Sequence, residues 1–517
     1  MRVQIPPSAV EGVEVNGGLS PERGLSTRSV RAAIALLVLG LFVGCLRIAP
    51  PAKGSQRTWR SLLTPRVVLL TDLDEDLAIE AARTIERLAY ALEEVAFPYQ
   101  EKPQDRVEIL LFRDKDDFSA GVEEWVSGEF RTNSSWSSGV SGQICLAGEL
   151  FRENQAKLVH ELTHRYVRYY FPGAPTWLNE GLAEYMDALH YDGDGVSFGT
   201  GRLTITDWRS PTDVFALSAR EFYVRGLHDE ASDRLRSANY GWAWKVVHAL
   251  ASPETGALHA AFLDYLDRLT RLTPAKEALT QAFAGFPGSS LAEAINTHHL
   301  GVRYALRTKL IPPVIAPEVE VLSPADGRSI WLSYALQAPR DIDRDGARAE
   351  VLELTSSGTP AASLLMLRAA VERADGHQER VLPLLRRIYR SSPGDADALS
   401  ALVSALGAQP ELSEELEPLV EALARRAVSA QAMEVVARAD LHAGRYNRAA
   451  TFAVRATQRE PACLNCWMVR AKAHEQLGDL AKAYQSTALA LALADDDALE
   501  AKLEAELARL RDALKAP

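Results

Sequence analysis

Two histidines and a glutamate within residues 160–164 have the types and the spacing for metal-assisted hydrolysis. The segment reads HELTH and lies in an amphipathic helical pattern. A spacing of four places His160 and His164 one turn apart on the same helix face, so both imidazoles can reach one metal ion. Glu161 then projects beside the open coordination position, where it can take a proton from water and pass it to a leaving amine. The alternative for this motif alone is a solvated helix with two surface histidines.

A second segment, TWLNEGLAEY at residues 176–185, offers a third ligand. A catalytic zinc site takes three protein ligands and keeps one position open, and two histidines with one glutamate are a known set. Glu180 comes 16 positions after His164, on the next predicted helix, and can complete that set. We expect Gly181 and Ala183 to leave room for the two helices to approach each other. Without the upstream histidines, Glu180 would be read as a solvated helix carboxylate.

HELTH followed by WLNEGLAEY resembles the gluzincin clan of zinc peptidases, in particular the small bacterial peptidase MA-like domains. The resemblance covers about residues 66–300. It implies one catalytic Zn²⁺ per chain and a peptide or protein substrate. By position, it implies that the zinc ligands are His160, His164 and Glu180. Glu161 takes the role of the catalytic base.

The resemblance also implies two supporting residues. Glu184 lies one turn after Glu180, where a thermolysin-like enzyme has an acidic residue hydrogen-bonded to the first histidine, a bond that would fix the tautomer of that ligand. A solvated glutamate is the alternative. Aminopeptidase-like gluzincins use a downstream tyrosine, just before a helix, as a donor to the oxyanion. Tyr240 in NYGWAW matches that context, with His228 and Tyr223 as further candidates. A tyrosine packed at a helix start is the alternative for Tyr240.

The elements around these motifs predict an α+β fold with a small mixed sheet and zincin-type active-site helices. Apolar strands are expected at 66–71 and 107–112, with an acidic, Ala-rich helix at 74–95 between them. A Gly-punctuated strand at 138–147 is expected at a sheet edge, where an extended peptide could add to it. Its Cys145 is expected to be a small buried apolar residue. Further helices are expected at 154–170, 175–189, 214–223, 236–251, 256–269 and 274–299.

The last third of the chain repeats itself with a period of 34 residues. Small residues and prolines keep this period or twice it: Gly376, Gly444, Gly478, Pro393, Pro461, and the pairs Ala449 with Ala483 and Ala456 with Ala490. The spacing resembles tetratricopeptide (TPR) repeats, whose small residues let paired helices pack closely. Units are expected at about 362–395, 396–429, 430–463 and 464–497. Such an all-α solenoid would offer a concave surface to a protein partner; a generic helical bundle is the alternative.

Residues 32–46, AAIALLVLGLFVGCL, form an uncharged apolar stretch after three arginines, which is the charge order of a signal peptide. These fifteen residues fall short of the roughly 20 that a membrane-spanning helix needs. The stretch ends at Cys45 in a context that resembles the lipobox of bacterial lipoproteins, although Phe42 stands where leucine is usual. We therefore expect lipidation of Cys45 and a membrane-anchored location in the bacterial cell envelope. An ordinary buried or membrane-embedded cysteine is the alternative.

Cys463 and Cys466 form a CxxC at the start of a predicted helix. In an exported protein this pair could close as a local disulfide. A zinc knuckle would need a second ligand pair nearby, and a thioredoxin-like redox role would need a βαβ context. The sequence around the pair offers neither.

The charge of the chain argues against one class of partner. The 517 residues carry a formal net charge of −12 and hold no long run of Lys or Arg. The electrostatic footprint of a nucleic-acid-binding protein is therefore missing.

Together these observations divide the chain into segments and favour one function. The segments are a signal peptide (1–45), a tether (46–65), a gluzincin-like peptidase domain (66–305), a linker (306–360) and the repeats (361–515). We expect a membrane-anchored zinc peptidase whose repeats bind a partner or the substrate. Two alternatives stay open. One is a catalytically silent zinc-binding scaffold that works through its repeats, and the other is a zinc hydrolase acting on a non-peptide amide or on cell-wall peptide crosslinks.

Overall fold

The computed structural model describes residues 57–515 apart from 100, 120–128, 132–142, 149–151, 200–214, 216, 225–229, 287, 299–305, 338–340, 357, 408–412 and 495–496. The expected signal peptide, Cys45 and the first part of the expected tether lie outside the described residues. Within the described part, no helix combines the length and the apolar character needed to cross a membrane.

Two β-sheets organise the first part of the described chain. A mixed six-stranded sheet has the order β4-β5-β3-β2-β1-β9, and a three-stranded sheet has the order β6-β7-β8. The strands are β1 (Arg60–Leu63), β2 (Val67–Thr71), β3 (Val107–Phe112), β4 (Glu129–Arg131), β5 (Gln143–Ala147), β6 (His190–Asp192), β7 (Gly195–Phe198), β8 (Leu306–Lys309) and β9 (Glu318–Val321). The expected small mixed sheet is confirmed, and the strands expected at 66–71 and 107–112 are β2 and β3.

Helices follow or connect these strands. They are α1 (Glu75–Ala91), α2 (Lys115–Ser119), α3 (Arg152–Tyr170), α4 (Thr176–Met186), α5 (Ala219–Tyr223), α6 (Glu230–Ala251), α7 (Ala257–Thr270), α8 (Ala275–Ala282), α9 (Gly288–Thr297), α10 (Pro324–Ala335) and α11 (Asp341–Leu354). The helices expected at 154–170 and 175–189 are α3 and α4. The range 274–299 holds two helices, α8 and α9, because the Gly-Phe-Pro-Gly stretch at 285–288 interrupts it.

The central strands of the larger sheet are parallel because helices connect them. β2 pairs in parallel with β3, and β3 with β5. A parallel pair needs a crossover connection, which α1 supplies between β2 and β3. β3 reads VEILLF and is buried along its whole length, as expected of a strand covered on both faces. The outer strands β1, β9 and β4 pair antiparallel with their neighbours.

The expected edge position of the strand around Cys145 is wrong. β5 pairs on one side with β3 and on the other side with β4, where Phe130 lies opposite Ile144. Gln143, Ile144 and Cys145 are therefore paired on both sides, so an extended peptide cannot add to this part of β5. The sequence pattern does not predict β4, because this strand has only three residues. Cys145 itself is completely buried, and its Sγ lies 3.6 Å from Oε1 of Gln143.

Ordered structure begins earlier than expected and continues through the expected linker. Residues 60–63, expected within the tether, form β1, whose Leu62 is buried in the core. Residues 306–360, expected as a linker, contribute β8 and β9 to the two sheets and also form α10 and α11. Of the expected linker, the Pro-rich stretch at 310–317 is a connection between β8 and β9. The antiparallel pairing of β1 with β9 joins segments far apart in the sequence, which composition does not reveal.

The C-terminal part is a stack of helix pairs, as expected. The helices are α12 (Ala362–Ala374), α13 (Gln378–Ser391), α14 (Ala396–Gly407), α15 (Ser413–Ala424), α16 (Ala430–His442), α17 (Tyr446–Arg459), α18 (Leu464–Gln476), α19 (Leu480–Ala492) and α20 (Asp497–Lys515). The first helix of each pair begins 34 residues after the previous one, from α12 to α18. A disulfide joins Cys463 to Cys466 at the start of α18.

The turns within the pairs explain the spacing of the glycines. Gly376, Gly444 and Gly478 each follow the first helix of a pair with φ between 74° and 80°, a conformation that glycine adopts without steric cost. The residue after each glycine bonds back to a carbonyl of the last helical turn, as Arg445 N does to Asp440 O at 2.8 Å. This is the Schellman motif. The periodic alanines at 449, 456, 483 and 490 are completely buried, so the helices pack closely.

Gly181 on α4 allows close packing against a helix other than the expected one. A Cβ at this glycine would lie 2.5 Å from the carbonyl oxygen of Ala243 and 2.7 Å from Cγ2 of Val247, both on α6. The expectation that Gly181 makes room between the two motif helices is therefore wrong. Its role is to let α4 and α6 touch.

We expect Gly181→Ala to lower the free energy of unfolding by about 1–3 kcal/mol, because the added methyl group would overlap the backbone of α6. Gly346→Ala is the matched control. It lies in α11 with open space around an added Cβ, so it should stabilise that helix by up to about 1 kcal/mol. Urea unfolding followed by circular dichroism measures both changes. Equal effects of the two substitutions would contradict the packing argument.

Candidate metal centre

The two motif helices lie beside each other because a short turn joins them. α3 ends at Tyr170 and α4 begins at Thr176, with Pro175 at the N-cap position. Between them Gly173 has a φ of 77°, in the left-handed region that favours glycine. The apolar side of α3 belongs to the core cluster of the sheet-containing part, and its histidine face turns toward α4.

Three candidate ligands converge between these helices. Oε2 of Glu180 lies 3.6 Å from Nε2 of His160 and 3.6 Å from Nε2 of His164. Glu180 is only 3% exposed, and its Oε2 has no hydrogen-bond partner among the described residues. One ligand atom from each residue lies within 4.8 Å of the other two. This group could hold a metal ion, and an unpartnered buried carboxylate oxygen aimed at two imidazoles fits that use.

Each imidazole is fixed through its other nitrogen. Nδ1 of His160 lies 3.0 Å from Oδ1 of Asp187, and Nδ1 of His164 lies 3.0 Å from Oδ1 of Asn179. An ionised carboxylate and an amide oxygen only accept hydrogen bonds, so each Nδ1 carries the hydrogen. Each Nε2 is then the nitrogen left to bind a metal. Such outer hydrogen bonds orient the ligands and raise their basicity.

The carboxylate ligand is held as well. The Tyr223 hydroxyl donates a hydrogen bond of 2.6 Å to Oε1 of Glu180. This bond leaves Oε2 facing the histidines. Tyr223, a further candidate for the oxyanion donor in the sequence analysis, is thus engaged with Glu180 in this structure.

The charges of the centre are mutually dependent. Burial would raise the pKa of Glu180, but His164, His160 and the Tyr223 hydroxyl together lower that pKa below its usual value. Burial would lower the pKa of His160, but the hydrogen bond to Asp187 and the nearby carboxylate of Glu180 raise that pKa well above its usual value. A metal ion binding here would therefore displace a proton from His160.

The expected hydrogen bond between Glu184 and the first histidine is wrong, because Asp187 makes it. Asp187 follows the last residue of α4 and stands seven positions after Glu180, nearly two helical turns, which brings it back to the same face. Glu184 remains close, with a carboxylate oxygen within 4.8 Å of ligand atoms of His160 and Asp187. Burial and the charge of Asp187 raise the pKa of Glu184 to about 7.

Glu161 and Tyr240 are both coupled electrostatically to residues of the centre. Glu161 is partly buried on α3, and its charge raises the pKa of both His160 and Tyr240. Tyr240 lies inside α6, ten residues after its start, and not just before a helix as expected. Burial and the carboxylates of the centre, first among them Glu180, raise the pKa of Tyr240 well above its usual value, so its phenol stays a hydrogen-bond donor. The remaining candidate, His228, lies outside the described residues.

Sequence reasoning did not assign the two residues that orient the histidines. Asn179 directly precedes Glu180, and an amide beside a ligand carboxylate was the available signal. For Asp187 the signal was the seven-residue interval from Glu180.

Comparison with known proteins assigns no family. No protein-family model matches this sequence, and no curated protein matches it either. Functional assignment therefore depends on the residues and the geometry of the centre itself.

We expect Asp187→Ala to raise the dissociation constant for Zn²⁺ by about 10–100-fold, because it removes the acceptor that orients His160. Glu184→Gln is the matched control. It removes a neighbouring carboxylate charge and leaves the hydrogen bond of Nδ1 intact, so its effect should stay below about threefold, well under that of an outer-shell partner. Competition with a chromogenic chelator measures both constants. A larger loss in Glu184→Gln than in Asp187→Ala would show that the orienting role belongs to Glu184.

Proposed function

We propose that this chain is a zinc-dependent peptidase of the gluzincin type, with its zinc held by His160, His164 and Glu180. The observation that carries the proposal is the buried Oε2 of Glu180, which faces Nε2 of both histidines at 3.6 Å and has no hydrogen-bond partner among the described residues. Two imidazoles and one carboxylate are the ligand set of catalytic zinc sites that keep an open position. Bound zinc would supply Lewis acidity there, polarising the scissile carbonyl and lowering the pKa of water.

Glu161 is the proposed general base and acid. It follows His160 directly on α3, so it lies next to a ligand, and its charge raises the pKa of His160. Its carboxylate would take a proton from the attacking water and deliver it to the nitrogen of the departing amine. A scaffold that only binds a metal has no need of a carboxylate at this position.

Tyr240 is the proposed donor to the oxyanion that develops on the scissile carbonyl. Burial raises the pKa of Tyr240 most, and the carboxylates of Glu180 and Glu161 raise it further, which supports a hydroxyl near them. Its ring packs against Phe222 and Tyr223, with centroids 5.4 Å and 6.4 Å away, and this contact fixes its direction. A donor held in place before the reaction stabilises the transition state without reorganisation.

We also propose that the helix pairs form a TPR-type array and that Cys45 anchors the chain to a membrane of the bacterial envelope. The 34-residue interval between pairs, the Schellman turns at the glycines and the completely buried alanines support the first part. The second part rests on the lipobox-like sequence before Cys45. The array would bind a protein partner or select the substrate.

We expect Glu161→Gln to abolish peptide hydrolysis while the variant keeps its zinc, because the amide can neither take nor deliver the proton. Tyr240→Phe should lower kcat by about 10²–10³-fold, the usual cost of losing one oxyanion donor. Hydrolysis of a broad quenched-peptide library by the full chain, with zinc content measured in parallel, tests both.

Glu254→Gln, in the turn after α6, is the control and should leave hydrolysis unchanged. Stoichiometric zinc in the unaltered chain without cleavage of any peptide pool would contradict the peptidase proposal. That outcome would favour a catalytically silent zinc-binding scaffold.

A further inference from the structure

An ion pair links α3, which carries both histidines, to the stack of helix pairs α12–α20 (Ala362–Lys515), called the helical array below. Arg165 directly follows His164 on α3 and is only 3% exposed. Its Nη1 lies 3.5 Å from Oε2 of Glu460, which directly follows the last residue of α17. Both Nη atoms of Arg165 and Oε2 of Glu460 are buried and have no hydrogen-bond partner among the described residues. The guanidinium of Arg165 also lies 5.6 Å from the ring centroid of Tyr169, and Glu460 supplies the charge of opposite sign beside it.

The turn between the two ligand helices also touches the array. A Cβ at Gly173 would lie 2.7 Å from Cβ of Ala492, the last residue of α19. Gly173 needs its positive φ to connect α3 to α4. The array thus contacts α3 through Arg165 and the α3–α4 connection through Gly173, so it touches both segments that determine the spacing of the ligands.

Further contacts attach the same part of the array to the sheet-containing part. Arg459 forms a bidentate ion pair with Asp105, with Nε 2.8 Å and 3.0 Å from the two carboxylate oxygens, and its Nη1 donates to Gln104 at 2.8 Å. Leu272 packs against the cluster around Trp467. The interface therefore contains charged and apolar contacts in addition to the Arg165–Glu460 pair.

The turn that carries Glu460 is itself fixed. The carbonyl of Glu460 accepts a hydrogen bond of 3.1 Å from the Cys463 amide, and the Trp467 indole donates to the carbonyl of Pro461 at 2.6 Å. The disulfide between Cys463 and Cys466 closes the same turn. A carboxylate on such a turn occupies a defined position and can hold a charged partner in place.

We infer that Arg165 and Glu460 are positioning residues of the metal centre, through which the helical array fixes the helix that carries both histidines. A buried guanidinium costs free energy unless a charge of opposite sign compensates it. For Arg165 this charge comes from the array, so α3 is most stable where the array places it. The inference rests on the proposed metal site and gives the array a second role besides binding a partner.

The test compares Glu460→Gln with Arg459→Gln in the full chain. Glu460→Gln removes the charge opposite Arg165, whereas Arg459→Gln breaks an ion pair of the same interface that does not touch the ligand helices. We expect Glu460→Gln to raise the Zn²⁺ dissociation constant about tenfold or more, in the range seen when outer-shell partners of metal ligands are lost. Arg459→Gln should change it less than about twofold, because its contact lies on the loop before β3.

Zinc affinity is measured by chelator competition at a temperature where circular dichroism shows each variant folded. A purely structural role would lower the unfolding temperature and leave the zinc affinity unchanged. If Glu460→Gln does not fold, Glu460→Asp keeps the charge but withdraws it by one methylene, and a severalfold weaker affinity is expected.

Unchanged zinc affinity in folded Glu460→Gln or Glu460→Asp would overturn the inference while leaving the proposed function intact. An equal loss in Arg459→Gln would overturn it too, because general loosening of the interface would then explain the effect. Absence of zinc from the unaltered chain would overturn the proposed function and this inference together.

Discussion

A carboxylate removed from water loses most of its hydration, and Glu180, at 3% exposure, is such a group. One of its oxygens accepts a hydrogen bond from Tyr223, but the other faces only two imidazoles. The centre is stable only if positive charge lies between these three side chains. The raised pKa of His160 favours a proton on this side chain, and a bound cation would displace that proton and supply the positive charge itself.

The surrounding elements hold that arrangement from several sides. The sheet supports α3 through the shared core, and α6 packs so closely against Gly181 of α4 that no side chain would fit there. From α5, the Tyr223 hydroxyl donates a hydrogen bond to Glu180. The array contributes the charge opposite Arg165. Each support acts on a helix that carries candidate ligands or on a candidate ligand itself. The proposed hydrolysis would need such fixed geometry, because misplaced groups lose most of their catalytic effect.

Local spacing in the sequence predicted what depends on helical geometry. The positions of His160 and His164 on one helix face and the strands β2 and β3 follow from patterns within single elements. The stack of helix pairs follows from the 34-residue period. The wrong predictions concern strand pairing and contacts between segments that are distant in the sequence or very short. β4 is too short to show a pattern yet covers the edge of β5, and β1 pairs with a strand from the expected linker. Asp187 replaces Glu184 because the end of α4 sets which carboxylate reaches His160, and helix ends are poorly marked in this sequence.

The most direct test of the central claim is anomalous scattering at the zinc absorption edge from crystals of the protein grown with equimolar Zn²⁺. The account predicts one strong peak between His160, His164 and Glu180, at about 2.0–2.2 Å from the two Nε2 atoms and Oε2 of the carboxylate. A map without a peak at this position, or with zinc only at other residues, would contradict the metal centre and every role assigned around it.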